Sequence, residues 1–298
     1  MTGSTRPVIV GVDGSTSASH AVRWAAEEAA RRNTGLVIMH ACMVVPVHGL
    51  HVAGSSEAYA DAVFDHGRVL LAEATAVAKE AGAGVEVDTE LNSGGAAEQL
   101  VGRSASAQLV VLGSRGLGGF TGLLVGSVAV AVTTHAHCPT VVVRDPSPDA
   151  VPDRDAPVVV GLDGSPSSDA ALAFAFQAAA LRGVAVHAVR TWWDLTAETA
   201  WQRGLTATNL ASIEAAEQRL LTEQLAACAA AHPDVQVHQA LTRDRPAHTL
   251  VEQSAKAQLV VVGTRGRGGF RGLLLGSTSQ ALIHHAHCPV AVVPLTQH

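Results

Sequence analysis

The sequence predicts an α/β protein built as two tandem doubly wound domains, each a parallel sheet with helices on both faces. Three observations carry this prediction. The chain repeats itself at a spacing of 150 residues. Within each repeat, short β-rich runs alternate with helical stretches, the order that gives βαβ units. The runs near the centre of each repeat are apolar throughout rather than alternating, as strands covered on both faces are.

The repeat is unambiguous. VIVGVDGS (Val8–Ser15) recurs as VVVGLDGS (Val158–Ser165), and HAHCP (His135–Pro139) recurs at His285–Pro289. Between Ser104–Val143 and Ser254–Val293, 26 of 40 positions are identical. The period is too long for a solenoid, so the duplicated unit is a whole domain. RDPSPDAVPDRDAP (Arg144–Pro157), rich in proline and charge, marks the boundary, which gives domains over residues 1–146 and 155–298. Either half is long enough to bury its own core.

In the first half, Pro7–Val12 reads as a strand and Asp13, Gly14 and Ser15 as a turn. Ala18–Arg32 has a helical stripe of Ala21, Trp24, Ala25 and Ala29. Leu36–Cys42 is a second strand, Glu57–Ala81 a long amphipathic helix and Val85–Leu91 a third strand. Ala96–Ser106 is a helix, Leu109–Gly113 a fully apolar strand, Ser127–His135 a helix and Thr140–Val143 the last strand. The second half repeats this order, with a strand at Val184–Arg190 and a long helix at Leu210–Ala231.

Composition excludes several functions. A net charge of −6 is the wrong sign for a general nucleic-acid binder, and 3% aromatic residues leave few stacking platforms. No apolar run reaches the ~18–20 residues of a membrane helix. The start, MTGSTRPVIV, has no secretory pattern. Four cysteines without a CxxC pair predict reduced thiols rather than disulfides or zinc, and so a cytoplasmic protein.

The chemistry gathers where strands end, since ligands of open parallel sheets sit outside the strands' carboxyl ends. Leu109–Gly113 runs into Gly113, Ser114, Arg115 and Gly116; nine residues later come Gly126 and Ser127 at the start of a helix. The second half repeats the pattern as Gly263, Thr264, Arg265 and Gly266, then Gly276 and Ser277. Glycines there let backbone N–H groups approach an anion, and a helix N-terminus offers unpaired donors and partial positive charge. Ser127 and Ser277 are candidates to cap the helix or to donate to a phosphate. Arg115, Arg265, Arg267 and Arg271 add cationic donors. The loop is neither a Walker loop, lacking GKS or GKT, nor the GxGxxG fingerprint. The plainer alternative is a long turn with a tight helix–sheet contact. Asp13 and Asp163 can likewise serve as turn and capping residues. His135, His137 and Cys138, with His285, His287 and Cys288, are of metal-ligand type, but histidines also favour helix C-termini and no fourth ligand is evident. His40 in its apolar strand reads as a core or pocket residue, and Trp192, Trp193 and Trp201 as packing.

The pattern GxxG, nine residues, G[ST], after a VVVG-type strand and with an Asp closing the first strand, resembles the ATP-binding class of universal stress proteins; so does the closing HCPVxVV. The resemblance covers the chain twice. It implies five parallel strands per domain in the order 3-2-1-4-5, with one ATP, often with Mg2+, in each. It places Asp13 and Asp163 at the adenosine. Gly113, Gly116, Gly126, Ser127 and Val128 would hold the phosphates in the first half, and Gly263, Gly266, Gly276, Ser277 and Thr278 in the second. The adenine pocket would include Ala41 and Thr191. It also implies a homodimer formed through the last strands, Val141–Val143 and Val290–Val293.

Three functional readings remain open at this level: an ATP-binding stress or signalling protein, an ATPase or nucleotidyl-transfer enzyme on the same fold, and a scaffold with remnant loops. No catalytic residue is assigned, because nothing near the loop offers a base to orient an attacking water. The second loop carries Arg267 and Arg271 where the first has Leu117 and Thr121, which predicts tighter triphosphate binding at the second site.

Overall fold

A computed structural model describes residues 6–43, 55–117, 125–145, 153–192, 207–266 and 275–295. The chain divides into two compact units, Met1–Asp145 and Pro146–His298.

The first unit runs β1 (Val8–Gly11), α1 (Thr16–Arg31), β2 (Leu36–Cys42), α2 (Ser55–Ala81), β3 (Val87–Ser93), α3 (Ala96–Ser104), β4 (Leu109–Gly113), α4 (Ser127–His135) and β5 (Thr140–Val143). Its strands are all parallel, in the order β3-β2-β1-β4-β5. The second unit runs β6 (Val158–Leu162), α5 (Pro166–Arg182), β7 (Val186–Thr191), α6 (Ala207–Ala231), β8 (Val237–Thr242), α7 (Pro246–Ser254), β9 (Leu259–Gly263), α8 (Ser277–His285) and β10 (Val290–Val293). Its order, β8-β7-β6-β9-β10, is the same topology.

The apolar runs are explained by position. Val8, Ile9 and Val10 of β1 and Leu109, Val110 and Val111 of β4 are fully buried, because α1 and α2 cover one face of the sheet and α3 and α4 the other. Burying each such side chain stabilises the unit by about 1.5–3 kcal/mol. β3, at the sheet edge, leaves Asp88, Thr89 and Ser93 exposed.

Helix starts differ from the sequence expectation in an informative way. α1 begins at Thr16, two residues before the expected Ala18, because Ser15 is its N-cap and Ser15 Oγ accepts from the Ala18 N–H at 3.1 Å. Ser165 does the same for α5, accepting from Ser168 at 3.2 Å. α2 and α6 begin at Ser55 and Ala207, ahead of the expected Glu57 and Leu210. α3 ends at Ser104 rather than Ser106. β3 begins at Val87 because the Val85 N–H turns back to the Gly82 carbonyl. β7 begins at Val186, not Val184: Gly183, at φ 67°, ends α5 in the left-handed region, and the Val184 N–H still bonds to Ala179 of that helix.

A buried charge pair in the second unit has no ion-pair counterpart in the first. Arg190 on β7 is only 2% exposed, and its Nε donates to Glu217 of α6 at 2.6 Å. Their counterparts in the first unit are His40 and Gly67. A Cβ on Gly67 would stand 2.7 Å from Leu91 and 3.0 Å from the His40 ring, so the smaller pair packs directly.

Candidate functional site

The carboxyl ends of β1, β2 and β4 open into a cavity of about 420 Å3. Val12, Met39, Leu100 and Leu112 give it an apolar side, and the β4–α4 loop with the first turn of α4 gives it a polar one. Asp13, Ala41, Gly113, Arg115, Gly116, Gly126, Ser127 and Val128 all line it. The structure thus gathers the first-unit candidates around one space.

Asp13 joins the two strand ends. Its Oδ1 accepts from the Ser15 N–H at 3.0 Å, closing the turn after β1, and its Oδ2 accepts from the Leu117 N–H at 2.9 Å. The turn role and the cavity position therefore coexist, although helix capping falls to Ser15. The bridge requires glycine at 116, where a Cβ would lie 2.4 Å from Asp13 Oδ2. Gly113 is equally constrained, with a would-be Cβ 2.7 Å from the Ser17 backbone on α1. The loop then closes on itself, as the Gly126 N–H donates to the Ser114 carbonyl at 2.9 Å.

The start of α4 departs from one expectation. Its N-cap is Gly126, not Ser127, and no side chain caps it; α8 is the same, with Gly276 rather than Ser277 as N-cap. Neither helix has an acidic residue in its first turn. Ser127 is therefore the first helical residue. The N–H groups of Ser127, Val128 and Ala129 have no acceptor within the helix, and their positive end faces the cavity. A capping serine would have consumed one of these donors.

Arg115 is 59% exposed and pairs with Asp145, just beyond β5. His20 Nδ1 on α1 lies 3.3 Å from the same carboxylate. Burial alone would raise the Asp145 carboxyl, but hydrogen bonds from Arg115, His20 and Ser17 hold it below the ordinary aspartate range. Neither Asp145, His20 nor Ser17 stands out by motif in the sequence. Comparing position 145 with 295, Asp against Leu, and 20 with 170, His against Ala, marks this corner.

The second unit repeats the backbone plan. Asp163 Oδ1 accepts from the Ser165 N–H at 2.9 Å and from its hydroxyl at 2.7 Å. A Cβ on Gly266 would lie 2.4 Å from Asp163 Oδ2, and one on Gly263 2.2 Å from Ser167 Oγ. The Gly276 N–H donates to Thr264 at 2.7 Å, and Ser277 and Thr278 follow in the first turn of α8. Arg265 is exposed next to Gly266. Thr191 pairs with Thr242 as Ala41 pairs with Asn92, so the two occupy the same register position despite the drift in sequence.

The remaining candidates separate cleanly. His40 Nδ1 lies 2.7 Å from the Val12 carbonyl, which can only accept, so His40 donates and ties β2 to the end of β1. Trp192 packs under the Arg243 guanidinium, 4.9 Å from the ring centre. His135 and His285 close α4 and α8, and among the described residues no group of three or more His, Cys, Asp or Glu is placed to hold a metal. All four cysteines are free thiols, and burial pushes both Cys138 and Cys288 up to about 12. Among the described residues no helix is long and apolar enough to cross a membrane. Arg267, Arg271, Trp193 and Trp201 lie outside the described residues.

Comparison with known proteins shows the family and the fold. A sequence model described as "Universal stress protein family" matches twice, over residues 4–144 and 156–294. The universal stress protein Rv2005c of Mycobacterium tuberculosis is 41% identical over 290 residues, covering 96% of each chain. A universal stress protein of Mycolicibacterium smegmatis is 36% identical over 294 residues, again covering 96% of each. Among solved structures, that of a universal stress protein from Archaeoglobus fulgidus aligns with a TM-score of 0.72 at 18% identity, over 98% of this chain and 100% of that one.

Proposed function

The chain belongs to the universal stress protein family in both halves, and from that premise we propose that each unit binds ATP or a close adenine nucleotide as a reversible ligand, without rapid turnover. Family membership supports a role in the response to stress. The observation that carries the nucleotide reading is the cavity of about 420 Å3, lined both by apolar side chains and by an uncapped helix N-terminus, with Asp13 bridging to the Leu117 N–H at its edge. Such a cavity suits a ligand with a flat apolar end and an anionic end. In this reading Asp13 and Ala41 lie on the adenosine side. Gly113, Gly116, Gly126, Ser127 and Val128 hold the phosphates through backbone N–H groups. Asp163, Thr191, Gly263, Gly266, Gly276, Ser277 and Thr278 repeat those roles in the second unit.

In this reading Mg2+ would arrive with the nucleotide, held by its phosphates and water with at most one or two protein carboxylates. When bound, it would neutralise phosphate charge.

The lining supports slow rather than rapid hydrolysis. Asp13 is the one carboxylate among the described lining residues, and each of its oxygens already accepts a backbone N–H. It is a poor general base for a water beside the phosphates. Binding then acts by mass action on stability and by population shift on a surface seen by a protein partner. A homodimer formed through Val141–Val143 or Val290–Val293, in the cytoplasm, belongs to the same reading, and sedimentation across a concentration series tests the dimer. Calorimetric titration with ATP, followed by phosphate release from the same preparation, tests the whole. Saturable binding at or below millimolar ATP with little release supports the reading. Fast release abolished by Gly126→Asp with Gly276→Asp would instead favour the enzymatic alternative, an ATPase or nucleotidyl transferase.

A further inference from the structure

The two units differ at one corner of the site. In the first, the Asp145 carboxylate is held by the Arg115 guanidinium, by His20 Nδ1 at 3.3 Å and by the Ser17 hydroxyl. Ser17 Oγ also accepts from the Arg115 N–H at 3.3 Å. At the positions 150 residues later stand Arg265, Ala170, Ser167 and Leu295. The arginine and the serine persist, and the carboxylate is gone. Leu295 is 52% exposed, so its side chain does not take the carboxylate's place in the interior.

The serine left behind is the telling residue. Ser167 is 6% exposed, and its hydroxyl has no hydrogen-bond partner. It lies against Gly263, at the very turn that leads into the loop. A buried hydroxyl without a partner is destabilising, and it persists where a ligand supplies the missing partner. The corresponding hydroxyl in the first unit shows what chemistry that partner has: an oxyanion, shared with the neighbouring arginine.

We propose that the Ser167–Arg265 corner of the second unit is an anion subsite for a phosphate group of the bound nucleotide, a place that the first unit fills with its own Asp145 carboxylate. The inference rests on the nucleotide reading above and extends it. Both units take the adenosine end alike. The second gains more from each added phosphate, because position 295 brings no carboxylate to its corner. The first gains less, because Asp145 already neutralises Arg115 and repels an incoming anion.

The test uses the full chain, with Gly276→Asp to silence the second site when the first is read and Gly126→Asp for the converse. Adenosine, ATP and inorganic phosphate are titrated into each. At the first site, Asp145→Asn raises the preference for ATP over adenosine about threefold, the scale of a half-exposed ion pair. At the second, Leu295→Asp lowers that preference about fivefold. Ser167→Ala lowers it as well, while leaving adenosine affinity intact and the melting temperature no lower; a purely structural serine would leave the preference unmoved. Adenosine and ATP binding with the same preference in all variants overturns this inference and leaves the nucleotide reading standing. Binding of neither ligand to the unsubstituted chain overturns both. Inorganic phosphate should compete with ATP but not with adenosine at the second site. Phosphate that binds together with ATP would assign the corner to a free anion and overturn the proposal.

Discussion

Two side chains decide how the first site is held. Asp13 spans the β1 turn and the β4–α4 loop, and the span exists because residue 116 has no Cβ to meet Asp13 Oδ2 at 2.4 Å. Gly116→Ala should therefore break the bond to the Leu117 N–H and weaken ATP at the first site by about tenfold, the scale of one hydrogen bond to a charged group; calorimetry with the second site silenced reads it. Asp145 carries a signed pH dependence. Its carboxyl is held below the unfolded value, so its contribution to stability is present above about pH 4 and disappears as the pH falls through the folded value. Asp145→Asn should be less stable than the parent chain in denaturant at pH 7, and the gap should narrow as the pH falls below about 4. A gap that stays constant from pH 7 to pH 3 would remove Arg115, His20 and Ser17 as its cause. Sequence motifs located Asp13 and Gly116. They missed Asp145 because its partners come from α1, from the β4 loop and from the end of β5, a meeting that only the fold creates.

β2, β4 and β5, together with α4, have the bounds that the sequence predicts, while β1 is shorter, Val8–Gly11 against the expected Pro7–Val12. Three elements shifted where a local hydrogen bond outranked the apolar pattern. α1 starts at its serine cap, β3 after the Gly82 turn, and β7 after the Gly183 exit from α5. Of the two roles open to Ser127 in the sequence, capping falls away for a related reason: residue type favours serine, but the loop closes through the Gly126 N–H and makes glycine the boundary residue. Two predictions belong at this scale. Ser15→Ala should cost about 1 kcal/mol by removing the α1 cap, seen as a lower denaturation midpoint. Glu217→Ala should cost more, about 3–5 kcal/mol, since it strands the Arg190 guanidinium, 2% exposed, between β7 and α6. A cost under 1 kcal/mol would mean that Arg190 finds another partner.

At the scale of the molecule, duplication is the fact from which the rest follows. It was readable from GxxG, nine residues and G[ST] occurring twice, and each unit repeats the strand order that places this loop beside the end of the first strand. Repetition fixed the backbone of the sites more firmly than their side chains. Asp13 and Asp163, Gly116 and Gly266, and Gly126 and Gly276 are interchangeable, while Asp145 and Leu295, or His40 and Arg190, are not. The expected outcome is two sites of one architecture and unequal preference for phosphate. Whether they bind adenine nucleotides at all is read by equilibrium titration of the purified full chain with ATP. Two saturable events at or below millimolar ATP, both lost in the Gly126→Asp, Gly276→Asp chain while that chain remains folded, are the predicted result. No binding at millimolar ATP, or binding that survives both substitutions, would contradict it.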